Sequence, residues 1–131
     1  MTTAMEKETQ TRPPVAIGHV TLRVTDVPQA TKYFVTLGLR LIHHAETFAV
    51  LELRGGTHLV LRAAEEPILP GTKAPFDLMV DDVVAARQEY GAVDMNPSAI
   101  ETGMVHRWFT IAGPDGYEIT VTSSHTSGRA V

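Results

Sequence analysis

The chain has 131 residues, 44% of them hydrophobic, with a formal net charge of −4 and no cysteine. That length suits one domain, or two half-domains that are stable only together. Disulfides, cysteine-ligated metals and thiol nucleophiles are excluded, and a reducing cytoplasm is the compatible setting. The acidic balance, with no local Lys/Arg cluster, argues against a nucleic-acid partner.

The polar opening, residues 1–14, ends in two prolines and reads as a disordered tail. It lacks the charged-then-apolar order of a signal peptide, and no apolar run reaches the length of a membrane span. Periodicity begins at Ala16. Alternation over His19–Val24 puts Val20, Leu22 and Val24 on one face of a strand and His19, Thr21 and Arg23 on the other. Thr25-Asp26 then caps a helix with Pro28 in its first turn, and Ala30, Tyr33, Phe34 and Leu37 follow at helical spacing before Gly38 ends it. Leu39–His44 and Phe48–Leu53 read as strands, and Gly55-Gly56 turns into a further strand, Thr57–Arg62.

A linker rich in proline, glycine and glutamate occupies 63–74, after which the pattern restarts. Pro75–Val80 alternates as a strand, and Asp81-Asp82 opens a helix with Val83, Ala86, Tyr90 and Val93 facing inward. Pro97–Thr102 and His106–Ala112 are the next strands, and Gly113-Pro114-Asp115-Gly116 turns into Tyr117–Thr122. Sliding His19–Phe34 onto Pro75–Tyr90 matches Leu22 with Leu78, Val24 with Val80, Asp26 with Asp82, Val27 with Val83, Ala30 with Ala86 and Phe34 with Tyr90. The expected architecture is α+β: two tandem βαβββ modules forming a curved mixed sheet, a cup. It comprises one domain over 15–125, with module one at 15–62 and module two at 75–125, and a C-terminal tail at 126–131.

The residues Gly18-His19-Val20 to Asp26-Val27, Val80-Asp81-Asp82-Val83 and Gly113-Pro114-Asp115-Gly116-Tyr117, set in this repeat, resemble the vicinal-oxygen-chelate superfamily. That superfamily includes glyoxalases, extradiol dioxygenases, fosfomycin-resistance enzymes and bleomycin-binding proteins. The resemblance runs from about Ala16 to Ser123. It implies a cup that encloses a small molecule, and in the enzymes a divalent metal held by His, Gln or Glu from the first and last strands of each module. The equivalent positions here are His19, Val60, Pro75 and Thr120, of which only His19 is a ligand type. A displaced set of His19, His58 and Glu118, with Asp77 beside it, is the alternative, and its chemistry suits zinc, manganese, nickel or ferrous iron. The ligand count favours a binding protein with no metal cofactor. A lyase, isomerase or ring-cleaving dioxygenase is the competing reading.

The remaining candidates follow from strand faces. Arg23, on the His19 face, and Arg62, on the His58 face, suit a carboxylate or phosphate, or else are solvated arginines at strand ends. His106, Trp108 and Thr110 share one face, so Trp108 offers a stacking surface, or else an ordinary core or dimer contact, and His106 a proton-transfer group. His19 is the other candidate for acid–base catalysis. Met79, Asp77, Val60 and Thr120 complete the expected ligand-binding set, with Met79 as an adaptable apolar wall. Asp26, Asp81 and Asp82 are read as helix caps, and Ser123-Ser124-His125 as a polar terminus rather than a triad. One imidazole of His43-His44 must face solvent. The exposed strand edges of each half and the family analogy predict a homodimer, with the cup closing either within one chain or between two.

Overall fold

The computed structural model describes residues 12–124. The expected N-terminal tail over 1–11, His125 and the C-terminal tail lie outside the described residues. The first half runs β1 (His19–Val24), α1 (Val27–Leu37), β2 (Arg40–His44), β3 (Phe48–Glu52) and β4 (His58–Ala63). The second runs β5 (Lys73–Val80), α2 (Val83–Ala92), β6 (Glu101–Thr102), β7 (Arg107–Ala112) and β8 (Glu118–Ser123). Each half forms its own four-stranded mixed sheet, ordered β1-β4-β3-β2 and β5-β8-β7-β6. The first and last strands of each half pair in parallel and the remaining neighbours antiparallel. The two orders are the same pattern, so the sequence repeat is a structural repeat.

Matching residues start the helices in the same way. The Asp26 carboxylate accepts from the Gln29 N–H and the Asp82 carboxylate from the Ala85 N–H, both at 3.0 Å, satisfying a donor that the first helical turn leaves free. Gly38 ends α1 at φ 121°, a conformation that side chains disfavour, and its N–H closes onto Phe34 and Val35 carbonyls. The end of α2 differs from expectation. Val93 was expected to face inward, but the helix stops at Ala92 and Val93 is 45% exposed. The chain bends through Asp94 (φ 61°) and delivers Met95 to the core in its place.

One face of each sheet packs on its helix, and alternation decides which. Leu22, Val24, Leu51, Leu59 and Leu61 of the first sheet and Phe109, Ile111, Ile119 and Val121 of the second are essentially fully buried, with Phe34 of α1 among them. Most strand boundaries lie within a single residue of expectation, and two shift further. Lys73 and Ala74 belong to β5 and not to the linker, and the sixth strand shrinks from Pro97–Thr102 to two residues. Ser98 replaces regular pairing there: its N–H donates to the Thr110 carbonyl and its hydroxyl accepts from the Thr110 N–H.

Side-chain ties join the halves at both ends of β1. Beyond its last residue, Asp115 accepts from the Thr25 N–H at 2.8 Å and from the Thr25 hydroxyl, and the Tyr117 hydroxyl donates to the Arg23 carbonyl at 2.8 Å. Near its first residue, Arg54 pairs with Asp81 at 3.0 Å, just past the end of β5. Asp115 and Tyr117 precede β8, whose start is hydrogen-bonded beside the start of β5 through the Glu118 N–H to the Thr72 carbonyl. β1 and β5 therefore lie side by side in opposite directions. Asp81, expected as a cap, is used in this tie instead; Asp82 alone caps α2.

Candidate functional site

The helix-free faces of the two sheets carry the polar chemistry. On the first sheet the register sets His19 beside His58, His58 beside Glu52 and Glu52 beside Arg40, one row across all four strands. The Glu52 carboxylate bridges that row, 3.2 Å from His58 Nε2 and 3.0 Å from Arg40. Further along, Arg62 lies over the Phe48 ring at 5.1 Å, and the His43 ring is 5.5 Å from the same phenyl. Arg23 Nη1 sits 3.5 Å from the Ala63 carbonyl, a weak contact at the strand end. Val60 is nearly buried between Thr21 and Val50 in this face. Both His43 and His44 are exposed, the strand being bulged between Leu41 and His43.

The second sheet holds a cleft of about 450 Å³ on its helix-free face, lined by Lys73, Asp77, Gly103, Met104, Val105, His106, Trp108 and Thr120. Trp108 pairs with Glu101 and Thr122, and Thr110 with Thr120, so Trp108 stands on the open face and not in the helix-side core. The His106 ring is 5.5 Å from the indole. Four residues expected at a site therefore meet in one place: Asp77, His106, Trp108 and Thr120. Lys73 and the Gly103–Val105 segment join them without having been singled out. Lys73 was assigned to the linker because prolines and glycine surround it. The turn at 103–105 carries no turn dipeptide, although an isolated glycine between two strand patterns is a break signal that could have found it.

A second cleft, of about 500 Å³, lies between the halves and is mainly apolar, with Ile17, Val20, Leu59, Phe76, Leu78 and Met79 among its walls. Met79 is here, apart from Trp108, whereas Asp77 borders both clefts. Ser123 and Ser124 serve structure: the Ser123 hydroxyl accepts from the Arg107 N–H, and the Ser124 N–H donates to the Val80 carbonyl.

His19 and His58 are neighbours, but Glu118 is not brought to them within one chain. His19 opens β1, and Glu118 lies near the other end of that strand, roughly 15 Å away at about 3.3 Å per residue. Among the described residues no three His, Asp or Glu side chains are placed to hold a metal ion. The positions that the resemblance implies for family ligands hold His19, Val60, Pro75 and Thr120, of which only His19 is a ligand type, and three or four protein ligands are the rule for a tight first-row site. These residues do not fit a divalent metal of the family's kind.

The sequence model of the Glyoxalase/Bleomycin resistance protein/Dioxygenase superfamily matches residues 16–121, and the chain belongs to that superfamily. Among solved structures it is similar to a lactoylglutathione lyase from Agrobacterium tumefaciens, at 18% identity and TM-score 0.71, covering 89% of this chain and 99% of that one. A bleomycin resistance determinant encoded on transposon Tn5 gives 16% identity and TM-score 0.67, with 84% and 98% covered. The oxidase ChaP-H2 gives 14% identity and TM-score 0.66, with 86% and 95% covered. No curated protein sequence matches the chain. At such identities the likeness fixes the fold, and one fold here carries a lyase, a resistance determinant and an oxidase.

Proposed function

We propose that the protein binds a small aromatic or anionic organic molecule on the helix-free face of its second sheet, without the family's divalent metal. The observation that carries this reading is the cleft in which Trp108, His106, Lys73, Asp77 and Thr120 converge. An indole face beside a cation, a carboxylate and a hydroxyl is the mix of apolar wall and few polar groups that small-molecule sites use. His106 is the candidate proton-transfer group should the bound molecule also react. The first sheet's His19, Arg23 and Val60 belong to a separate face within one chain. A two-fold homodimer that lays the first sheet of one copy over the second sheet of its partner would complete a cup, and we include that dimer in the proposal. The lack of cysteine suits a cytoplasmic setting. Among the described residues no helix is long and apolar enough to cross a membrane.

The test is a fluorescence screen of aromatic and anionic compounds, with elemental analysis of protein purified without chelators. Trp108 is the sole tryptophan, so its emission reports the cleft directly. Saturable change with at least one compound, on protein carrying well under one metal per chain, is the expected result. Stoichiometric, tightly held divalent metal would overturn the metal-free reading.

A second reading is a divalent-metal-dependent lyase, isomerase or ring-cleaving dioxygenase. The observation favouring it is that His19 and His58 stand side by side in register. It requires that His19→Ala and His58→Ala each abolish metal binding while the fold persists; unchanged metal content in both variants excludes this ligand pair.

A further inference from the structure

Two oppositely charged side chains, Lys73 and Asp77, line the Trp108 cleft, and among the described residues neither is in an ion pair. They are four positions apart on β5, at most about 13 Å between Cα atoms at 3.3 Å per residue. Irregular pairing with β8 falls between them. Their β8 partners, Glu118 and Thr120, are two positions apart, so the backbone separation is nearer about 7 Å, and one small substituted ring reaches from one side-chain end to the other. Trp108 is level with Thr122, beyond the Asp77 end, and there the indole supplies a flat wall. Its placement depends on Gly103: a Cβ there would come within 2.9 Å of Trp108 Cζ3 and 3.4 Å of Cη2. The φ of Gly103 is outside the left-handed region, so space and not backbone conformation demands the glycine. The turn is closed by the Gly103 N–H donating to the His106 carbonyl at 2.9 Å, and it carries Met104 and Val105 fully or largely exposed at the cleft's rim.

We propose that the cleft selects a flat aromatic ring bearing an anionic group for Lys73 and, at its opposite end, a hydrogen-bond donor for Asp77, with Gly103 positioning Trp108 as the stacking wall. This deepens the small-molecule reading and rests on it. The ammonium meets the anion as a point charge, and the carboxylate, which only accepts, selects the donor. A ring with one group alone would leave the other charge without a partner and bind less tightly.

The probes are 4-aminobenzoate, benzoate and aniline, titrated against Trp108 emission of the full chain, with calorimetry as a check on absorption artefacts. We expect 4-aminobenzoate to saturate at least tenfold below either single-group compound. Lys73→Met should reduce its advantage over aniline to within twofold, and Asp77→Ala its advantage over benzoate. Both side chains are exposed at their backbone positions, so these variants fold. Gly103→Ala should shift the emission of the free protein and weaken 4-aminobenzoate severalfold. An unshifted spectrum removes Gly103 from the proposal. Equal saturable binding of all three probes, or an advantage that survives Lys73→Met and Asp77→Ala, overturns the ligand class while leaving the cleft a binding site. Absence of saturable change with every probe overturns the class, and failure of the wider screen as well overturns the site.

Discussion

The two sheets are the same device used twice, yet their helix-free faces are spent differently. Much of the first face is paired internally: Glu52 holds both Arg40 and His58, and Phe48 carries Arg62 and touches His43. On the second, Lys73 and Asp77 line a cleft with the indole and have no ion pair of their own among the described residues. Helix-side faces, in contrast, are alike in both halves, since each must bury an alternating apolar set against one capped helix. The repeat is thus a statement about packing, and the proposed binding site lies where the halves part company.

The largest effects should test the likeness. Phe34→Ala, at the centre of the first half, and Phe109→Ala, at the centre of the second, each remove a fully buried phenyl. Both should cost about 3–5 kcal/mol, read as a drop in urea midpoint with one cooperative transition. Two transitions in either variant would mean that the halves fold separately and the shared core is overstated.

Next comes the difference. Trp108→Leu should weaken any compound that saturates the cleft by tenfold or more, about 1.4 kcal/mol, because a stacking face is lost. Calorimetry must replace fluorescence for this variant. Phe48→Leu, at an aromatic of the first sheet's open face, which the proposed dimer lays over the partner's cleft, should weaken the same compound by less, about two- to threefold. Equal losses in the two variants would mean that the two faces of the cup share the ligand equally, and no loss in Phe48→Leu would take that part of the first sheet out of the cup.

Most of the fold was legible because two periodicities carried it. Strand alternation named Leu22, Val24, Leu78 and Val80, and helical spacing with Asp26 and Asp82 placed both helices. The misreadings share one cause: local signals that tertiary context outweighed. Prolines around Lys73 suggested linker, although strand pairing beside β8 absorbs them through an irregular register. Val93 kept helical spacing, but the helix had already ended. Face assignments put Asp77, His106, Trp108 and Thr120 on strand faces that the structure brings to one cleft, since a face needs only parity. Distance along neighbouring strands needs register and direction, which parity does not supply. That is why His58 and Glu118 read alike in the sequence, while only His58 stands next to His19.

The tie between halves should come lower on the scale. Asp115 is a non-glycine residue at φ 56°, and its carboxylate accepts both Thr25 donors. Asp115→Ala loses these exposed hydrogen bonds and keeps the unfavourable backbone, for a cost of about 1–2 kcal/mol. Asp115→Gly loses the bonds but relieves the backbone, and Asp115→Asn keeps an acceptor in a residue that tolerates this conformation, so both should sit above the alanine variant in urea midpoint. A glycine variant as weak as alanine would leave backbone strain with no part in the effect.

The smallest effect at neutral pH concerns a tyrosine of the first half's helix, whose neighbour Phe34 matches Tyr90 in the repeat. The Tyr33 hydroxyl is buried without a hydrogen-bond partner among the described residues, and its ring meets Phe34 edge-on at 5.0 Å. Burial, and then the Tyr90 phenol nearby, push its pKa above the ordinary value of 10.0. The folded phenol therefore keeps its proton after the unfolded one has released it. Stability from this group is complete below pH 10 and falls as pH rises beyond it toward the folded pKa. Tyr33→Phe removes an oxygen that is desolvated but unpaired and leaves the ring contact, so it should be neutral or stabilising by up to about 1 kcal/mol at pH 7. At pH 11 its advantage over the parent should be larger. Tyr90 and Tyr117 are also raised by burial and slope the same way, so the comparison must be variant against parent at each pH. Urea midpoints at pH 7 and 11 decide it: a loss of more than about 1 kcal/mol at pH 7 would mean that the hydroxyl has a partner outside the described residues.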